Sequence, residues 1–391
     1  MTWMFKGWSP TTRRRGLCLG LMVLGLGMIP EGTRLTRADE RGNDPKTAVV
    51  AELERIVAKG EAAGIAALVI RGGRVELKEG RGDLSPDEVF QAASSSKPIT
   101  AAVVMALVDR GKLSLDDPVG KYVPEIGGMR LKGGEAAITP MTLRHVLTNT
   151  SGLPGDFSPE GGVPPLFGVS LAASCRELSK LELLSQPGAT FRYCTTGFNL
   201  AARAVEVVEG EPFETVAKRL VLDPLKMTRT AYLGPAIPFK REPGEGRFVL
   251  AGGAMTTTLE DLGRFYRMLA DEGTFEDKRV LSADSVRVMT TRQTDLSANL
   301  VGDLGQAYGI ALFLDRLDDQ GRARLATRGF WAACPGATAT TTSLASWSSG
   351  AASPKSSHRS SPLNGSFARV TPFGSEYITS CPHLFQRRFA R

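Results

Sequence analysis

Histidine is nearly missing from this sequence. There are three in 391 residues, and only His145 lies away from the two ends. A Ser-His-Asp arrangement needs an imidazole to take the serine proton, and a lone His145 with no orienting partner in view reads as a structural group tying down its own turn. Cysteine is scarce too: of five, only Cys175 and Cys194 fall in the body of the chain. At most one internal bridge is available, which excludes a disulfide framework. Cys194 reads as a small buried filler rather than a reactive thiol. No apolar run is long enough to cross a bilayer comfortably, since the longest, 16–29, has fourteen residues where about twenty are needed. The net charge of +7 is also absent from the body, because residues 1–38 and 329–391 each carry six Lys/Arg against one acid, and the rest sums to −3. A nucleic-acid partner therefore loses its only support.

What is present reads as a globular chain with an exported beginning. Arg13, Arg14 and Arg15, then the apolar 16–29, then Pro30 and a polar stretch have the order of a signal peptide. Residues 1–38 are assigned as a signal peptide or an uncleaved N-terminal anchor, which places the protein in the periplasm or cell envelope. The body starts near residue 46 with a helical spacing over 46–62, followed by a predicted hairpin over 65–77. Helical signals dominate from Ser94 to about Gly244, over 98–110, 143–147, 171–184, 197–209 and 213–221. Two more helices are expected over 258–272 and 283–291, and a strand over 308–313. Sheet elements at both ends around a helical middle imply an α/β layer plus an all-α lobe (94–244), with a cleft between them.

The chemistry starts at Ser94-Ser95-Ser96-Lys97, where an apolar run begins. A hydroxyl and an amine three residues apart, one helical turn, face one cleft, and burial can depress the lysine pKa so that it accepts the serine proton. Alone the tetrapeptide could be an ordinary helix cap. Two further segments bear on it. Residues 187–200 set Tyr193 on a tight loop just before a helix, and 143–154 end a helix in the polar turn Thr148-Asn149-Thr150-Ser151-Gly152. With these in order, the chain resembles the serine β-lactamase and penicillin-binding protein family, in the branch of class C β-lactamases, D-alanyl-D-alanine carboxypeptidases and related esterases. Residues 111–119, Asp223-Pro224-Leu225 and 251–258 extend the likeness over about 50–315.

The resemblance implies a β-lactamase/transpeptidase-like fold, an antiparallel sheet flanked by helices with a helical lobe. It implies Ser94 as the acyl-accepting nucleophile, Lys97 as its base partner, and Tyr193 as the tyrosine of the Tyr-x-Asn motif that passes a proton to the leaving group. The third position of that motif is Thr195 here, a hydroxyl with less reach than an amide. Thr195 and Arg192 are taken as substrate-binding candidates, Thr195 through Lys97 or a substrate carbonyl and Arg192 through a substrate carboxylate or else as a solvated side chain. No metal or cofactor is implied. The expected partner is a small-molecule or peptidoglycan-derived substrate, with membrane contact only through an uncleaved leader.

One element of the family pattern is missing. A strand carrying Lys-Thr-Gly or His-x-Gly should follow Phe313 and complete the oxyanion hole, but from about Gly329 the composition turns to Ser, Thr and Ala without strand or helix periodicity. The expectation is a hydrolase domain over 46–328, a sheet incomplete at its C-terminal end, and a disordered tail over 329–391. A shifted coding frame accounts for this. Pairing each codon's third base with the first two of the next permits His-Ala-Gly-Phe across residues 326–330. The reading is thus an exported serine hydrolase for an amide, ester or β-lactam, impaired in this frame. The alternative is a penicillin-recognising or cell-wall-binding module that uses the same cleft only to bind.

Overall fold

Strand β1 (Leu21–Leu24) lies within the apolar leader, and helix α1 (Pro45–Ala58) opens the body. The hairpin β2 (Gly64–Arg71) and β3 (Arg74–Gly82) follows. Successive side chains on a strand face opposite ways, and β2 uses both faces. Ile65 and Ala67 pack with Leu53 and Ile56 of α1, while Ala66 and Leu68 enter the main core. This computed structural model describes residues 21–24, 45–71, 73–156, 170–232, 250–295, 307–317, 323–334 and 337–345. All lie in one unit, 1–347.

Strand β4 (Phe90–Gln91) leads through a 3₁₀ turn, Ala93–Ser95, into α2 (Ser96–Val108). From Ser96 to Leu107 every residue of α2 is buried, as expected of a helix with no polar face. The helices of the lobe are α3 (Leu143–Leu147), α4 (Leu171–Leu178), α5 (Phe198–Glu209) and α6 (Phe213–Ala217), the last running on into a π turn, Lys218–Leu222; α5, α6 and the π turn pack on α2, and α3 and α4 pack on α5. The helix expected over 171–184 stops at Leu178, with Ser170 capping its start and Ser179 its end.

Strand β5 (Thr256–Thr257) pairs with β4 and ties the start of α2 to the segment before it. Helix α7 (Leu259–Ala270) lies on β2, with Thr258 as its cap accepting from the Asp261 N–H. A small hairpin, β6 (Thr274–Phe275) and β7 (Lys278–Arg279), and helix α8 (Ala283–Thr290) come next. The chain then returns to the sheet as β8 (Thr294–Asp295), β9 (Ala307–Tyr308), β10 (Phe313–Leu317), β11 (Ala323–Cys334) and β12 (Ala337–Ala345). Among the described residues the main sheet has the order β3-β2-β1-β12-β11-β10-β9-β8.

Three expectations are corrected. The strand expected over 308–313 is the turn of a hairpin instead. Tyr308 pairs with Phe313, and Gly309 donates to the Leu312 carbonyl. A side chain at Gly309 would lie 2.3 Å from the Met289 carbonyl, so only glycine fits this close approach. The sheet is not wholly antiparallel, because β1 runs parallel to both β2 and β12. Nor is it broken off after Phe313: β11 and β12 pair antiparallel from Leu325 opposite Ala345 to Cys334 opposite Ala337. The Ser/Thr/Ala composition suggested a tail, yet threonine is β-branched and favours strand, and in β12 it recurs at 338, 340 and 342. Strand β1, within the leader, joins this sheet between β2 and β12. The remainder of the leader and residues 346–391 of the expected tail lie outside the described residues. Among those described, no helix is long and apolar enough to cross a membrane.

Candidate active site

Ser94 sits in the 3₁₀ turn ahead of α2, not in the helix itself. The residue before it, Ala93, has φ 45°, a left-handed conformation that costs a residue with a Cβ about 1–2 kcal/mol. Surrounding contacts hold it there: the Ala92 N–H bonds to Met255 O at 2.8 Å, and β4 pairs with β5 on the other side. Strand β11 runs beside the same turn.

Lys97, one turn into α2, is 1% exposed and reaches three acceptors. Its Nζ donates to Ser94 Oγ at 3.1 Å, to Thr195 Oγ1 at 2.9 Å and to the Gly252 carbonyl at 2.8 Å. Burial pushes its pKa down to about 7, against the pull of the nearby Asp156 charge. The ammonium also stands 4.4 Å from the Tyr193 ring centroid and 5.4 Å from that of Phe198, contacts that favour the charged form. The Gly252 carbonyl comes this close because residue 252 has no side chain. A Cβ there would lie 2.4 Å from Thr195 O. Its loop is anchored from behind, with Asn199 Oδ1 accepting the Ala251 N–H at 2.9 Å and Thr100 Oγ1 donating to Ala251 O at 2.6 Å.

The Tyr193 loop is gripped by the polar turn after α3. Asn149, at φ 56°, accepts the Arg192 N–H on its own carbonyl at 2.7 Å and the Cys194 N–H on Oδ1 at 3.0 Å. The Asp156 N–H returns a bond to Tyr193 O at 2.8 Å. The Tyr193 ring stacks on Phe313 with centroids 6.1 Å apart, and Phe313 meets Tyr308 edge-on. Burial raises the Tyr193 pKa, with the Ser94 side chain as the hydrogen-bonding neighbour acting the other way. The phenol is thus held protonated while the lysine is eased toward neutrality. Environments that push two groups apart in this way separate an acid from a base.

The structure brings Ser94, Lys97, Tyr193 and Thr195 together and leaves Arg192 outside the cluster. Among the described residues, Arg192 Nε is buried without a hydrogen-bond partner, and no bond joins its side chain to the other four. His145 closes a capping box with Thr142 at the start of α3. Cys175 and Cys194 are both buried and free, with no bridge between them. Sequence reasoning missed Asp156, whose Oδ1 accepts the Thr195 N–H at 2.9 Å and whose Oδ2 accepts the Thr195 hydroxyl at 2.5 Å. It lies 39 residues from Thr195, and no spacing rule joins a loop aspartate to a distant threonine. No cluster of His, Cys, Asp and Glu suited to a metal ion occurs among the described residues.

The family model described as Beta-lactamase matches residues 49–356, past the compositional break near 329. An uncharacterized protein of Mycobacterium tuberculosis is 32% identical over 244 residues, 54% of this chain and 61% of that protein. Penicillin-binding protein 4 of Amycolatopsis lactamdurans is 31% identical over 225 residues, 53% of this chain and 57% of its own. The chain thus spans about three-fifths of the length of these curated relatives. A crystal structure of a Bacteroides dorei protein, provisionally assigned as a beta-lactamase, superimposes with a TM-score of 0.59 at 28% identity, covering 72% of this chain and 83% of that one. With the family model matched over most of its length, the chain belongs to the beta-lactamase family.

Proposed function

We propose that the chain is an exported serine hydrolase that forms an acyl-enzyme at Ser94 from an amide, ester or β-lactam. The observation that carries this reading is the buried Lys97 Nζ, 3.1 Å from Ser94 Oγ, with its pKa brought down to about 7. In the neutral form Lys97 takes the Ser94 proton as Oγ bonds to the substrate carbonyl carbon. The carbonyl π electrons move to its oxygen. The oxyanion is met by the Ser94 N–H, and the second donor would be a backbone N–H of a His-x-Gly strand in the position of β11, beside the Ser94 turn. Collapse of the adduct re-forms the carbonyl and breaks the bond to the leaving group. Tyr193 gives that group its proton and is reprotonated from Lys97. Water then attacks the ester by the reverse relay, releasing the acid and free Ser94.

Two parts of the reading concern the gene and the cell. Strand β11 is in place, yet its sequence, Ala323–Cys334, holds neither Lys-Thr-Gly nor His-x-Gly. The compositional break supports a shifted coding frame that would restore His-x-Gly at 326–329. Sequencing across the codons for Leu325 to Cys334 tests it, and an alternative frame with early stops and no glycine motif rejects it. Export rests on the arginine-led apolar leader, and recovery of the chain from the periplasmic fraction of the producing cell checks it.

Covalent labelling tests the activity. A fluorescent penicillin or a fluorophosphonate should label the protein and leave Ser94→Ala unlabelled. Absence of label with retained peptidoglycan binding would replace the hydrolase by a binding module.

A further inference from the structure

Thr195 stands where the family motif carries asparagine, and its single proton decides how the neighbouring lysine is oriented. Asp156 meets both donors of Thr195, the N–H at 2.9 Å and the hydroxyl at 2.5 Å. A carboxylate only accepts, so the Thr195 proton is committed to Asp156 Oδ2. The Thr195 oxygen is left to face Lys97 Nζ, 2.9 Å away, as an acceptor.

The proton inventory of Lys97 follows from this. Neutral, its amine has two N–H donors and one lone pair, and it faces three oxygens. The Gly252 carbonyl can only accept, which takes one N–H. Thr195 Oγ1, its proton spent on Asp156, takes the other. Ser94 Oγ is the one neighbour with a proton still to give, and the lone pair is left pointing at it.

We propose, taking Ser94 as the nucleophile, that Asp156 is a positioning residue which, by fixing the Thr195 hydroxyl proton, aims the free lone pair of Lys97 at Ser94 Oγ. Asparagine cannot substitute. It has one acceptor oxygen for two Thr195 donors. The backbone N–H keeps that oxygen, and the amide N–H₂ then turns toward Oγ1 and drives the Thr195 proton onto the Lys97 lone pair, in competition with Ser94. Asp156 also acts on Lys97 by charge. The titratable groups facing the amine are Asp156, Cys194 and Tyr193, and the negative charge of Asp156 favours the ammonium. Removing that charge therefore lowers the Lys97 pKa.

The test is the pH dependence of fluorophosphonate acylation of the full chain, read by mass spectrometry at Ser94. Asp156→Asn should lower the plateau rate about tenfold or more and at the same time move the acid limb to lower pH. Loose packing alone would lower the plateau and leave the limb in place. Asp156→Glu, which keeps two acceptors, should recover part of the plateau. Thr195→Val removes the hydroxyl, and with it the proton that Asp156 fixes, without creating a rival donor. On that background Asp156→Asn should cost less than about twofold in plateau while still shifting the limb. An unmoved limb, or an equal plateau loss on both backgrounds, overturns the proposal. If Asp156→Asn fails to fold, Asp156→Ala, which also frees the Thr195 proton and removes the charge, is read in its place on both backgrounds by the same criteria. Failure of the unsubstituted protein to take label at Ser94 rejects the nucleophile itself, a result distinct from labelling that ignores Asp156.

Discussion

The acylation rate of Ser94 should titrate with Lys97, and the structure sets the size of the effect. With the lysine pKa near 7, about half of the amine is neutral at pH 7 and about a tenth at pH 6. A solvated lysine would be neutral in only about three molecules in 10⁴ at pH 7. Burial thus enlarges the population of usable base by about 10³. The rate should rise roughly tenfold from pH 6 to a plateau above 8. Lys97→Arg keeps the charge but never offers a lone pair near neutrality, and Lys97→Met offers none. Each should lose at least about 10² to 10⁴ of the acylation rate. Stability depends on the same proton. The unfolded lysine holds its proton up to about pH 10.5, while the folded one releases it near 7, so stability rises with pH across that window. Lys97→Met relieves a burial penalty that is complete below pH 7. Its gain over the parent, on the order of a few kcal/mol at pH 6, should shrink toward zero by pH 10.5. Stopped-flow or timed mass labelling gives the rate and thermal unfolding at pH 6 and 9 gives the stability. A rate flat from pH 5 to 9, or Lys97→Met retaining more than a tenth of the parent rate, would refute the reasoning.

Three further outcomes are expected. Tyr193→Phe should retain acylation by a reagent with a good leaving group, such as a p-nitrophenyl ester, and lose about 10²-fold or more on an amide, whose nitrogen must be protonated to leave; equal losses on both would remove the acid role. Gly252→Ala places a methyl 2.4 Å from Thr195 O, so the loop must shift and withdraw its carbonyl from Lys97. It should destabilise the fold by about 1–3 kcal/mol in denaturant titration and slow labelling, and parent-like values for both would contradict the packing. A chain recoded to restore His-x-Gly at 326–329 should turn over a p-nitrophenyl ester about 10² to 10³ times faster than the chain as written; comparable turnover by both would reject the frame shift.

Periodicity exposed much of the architecture. The apolar run after Ser96 has no polar face, which forces α2 to the centre, and the hairpin at 65–77 reads directly from its alternation and turn. The misreadings have physical causes. Tyr308 to Phe313 is apolar throughout, but the Ala311 backbone is left-handed at φ 61° and the segment folds back on itself. Threonine-rich β12 looks like low complexity because its side chains are small and polar, and it becomes a strand through its pairing with β11. The grouping of Ser94 with Lys97 was legible in their one-turn spacing, and Tyr193 joined them only through the family resemblance.

The sequence by itself determined the residue types available for the chemistry. It offers a serine and a lysine at helical spacing, a tyrosine on a loop, and no histidine able to compete. Tertiary structure decided what those groups are. A lysine is a base only where water is excluded, and that exclusion comes from α2, α5 and the Gly252 loop closing around one amine from distant parts of the chain. Asp156 shows the same division. As a letter in the sequence it is an ordinary loop aspartate, and only the fold sets its two oxygens against the two donors of Thr195, because hydrogen bonds depend on position in space and not on separation along the chain.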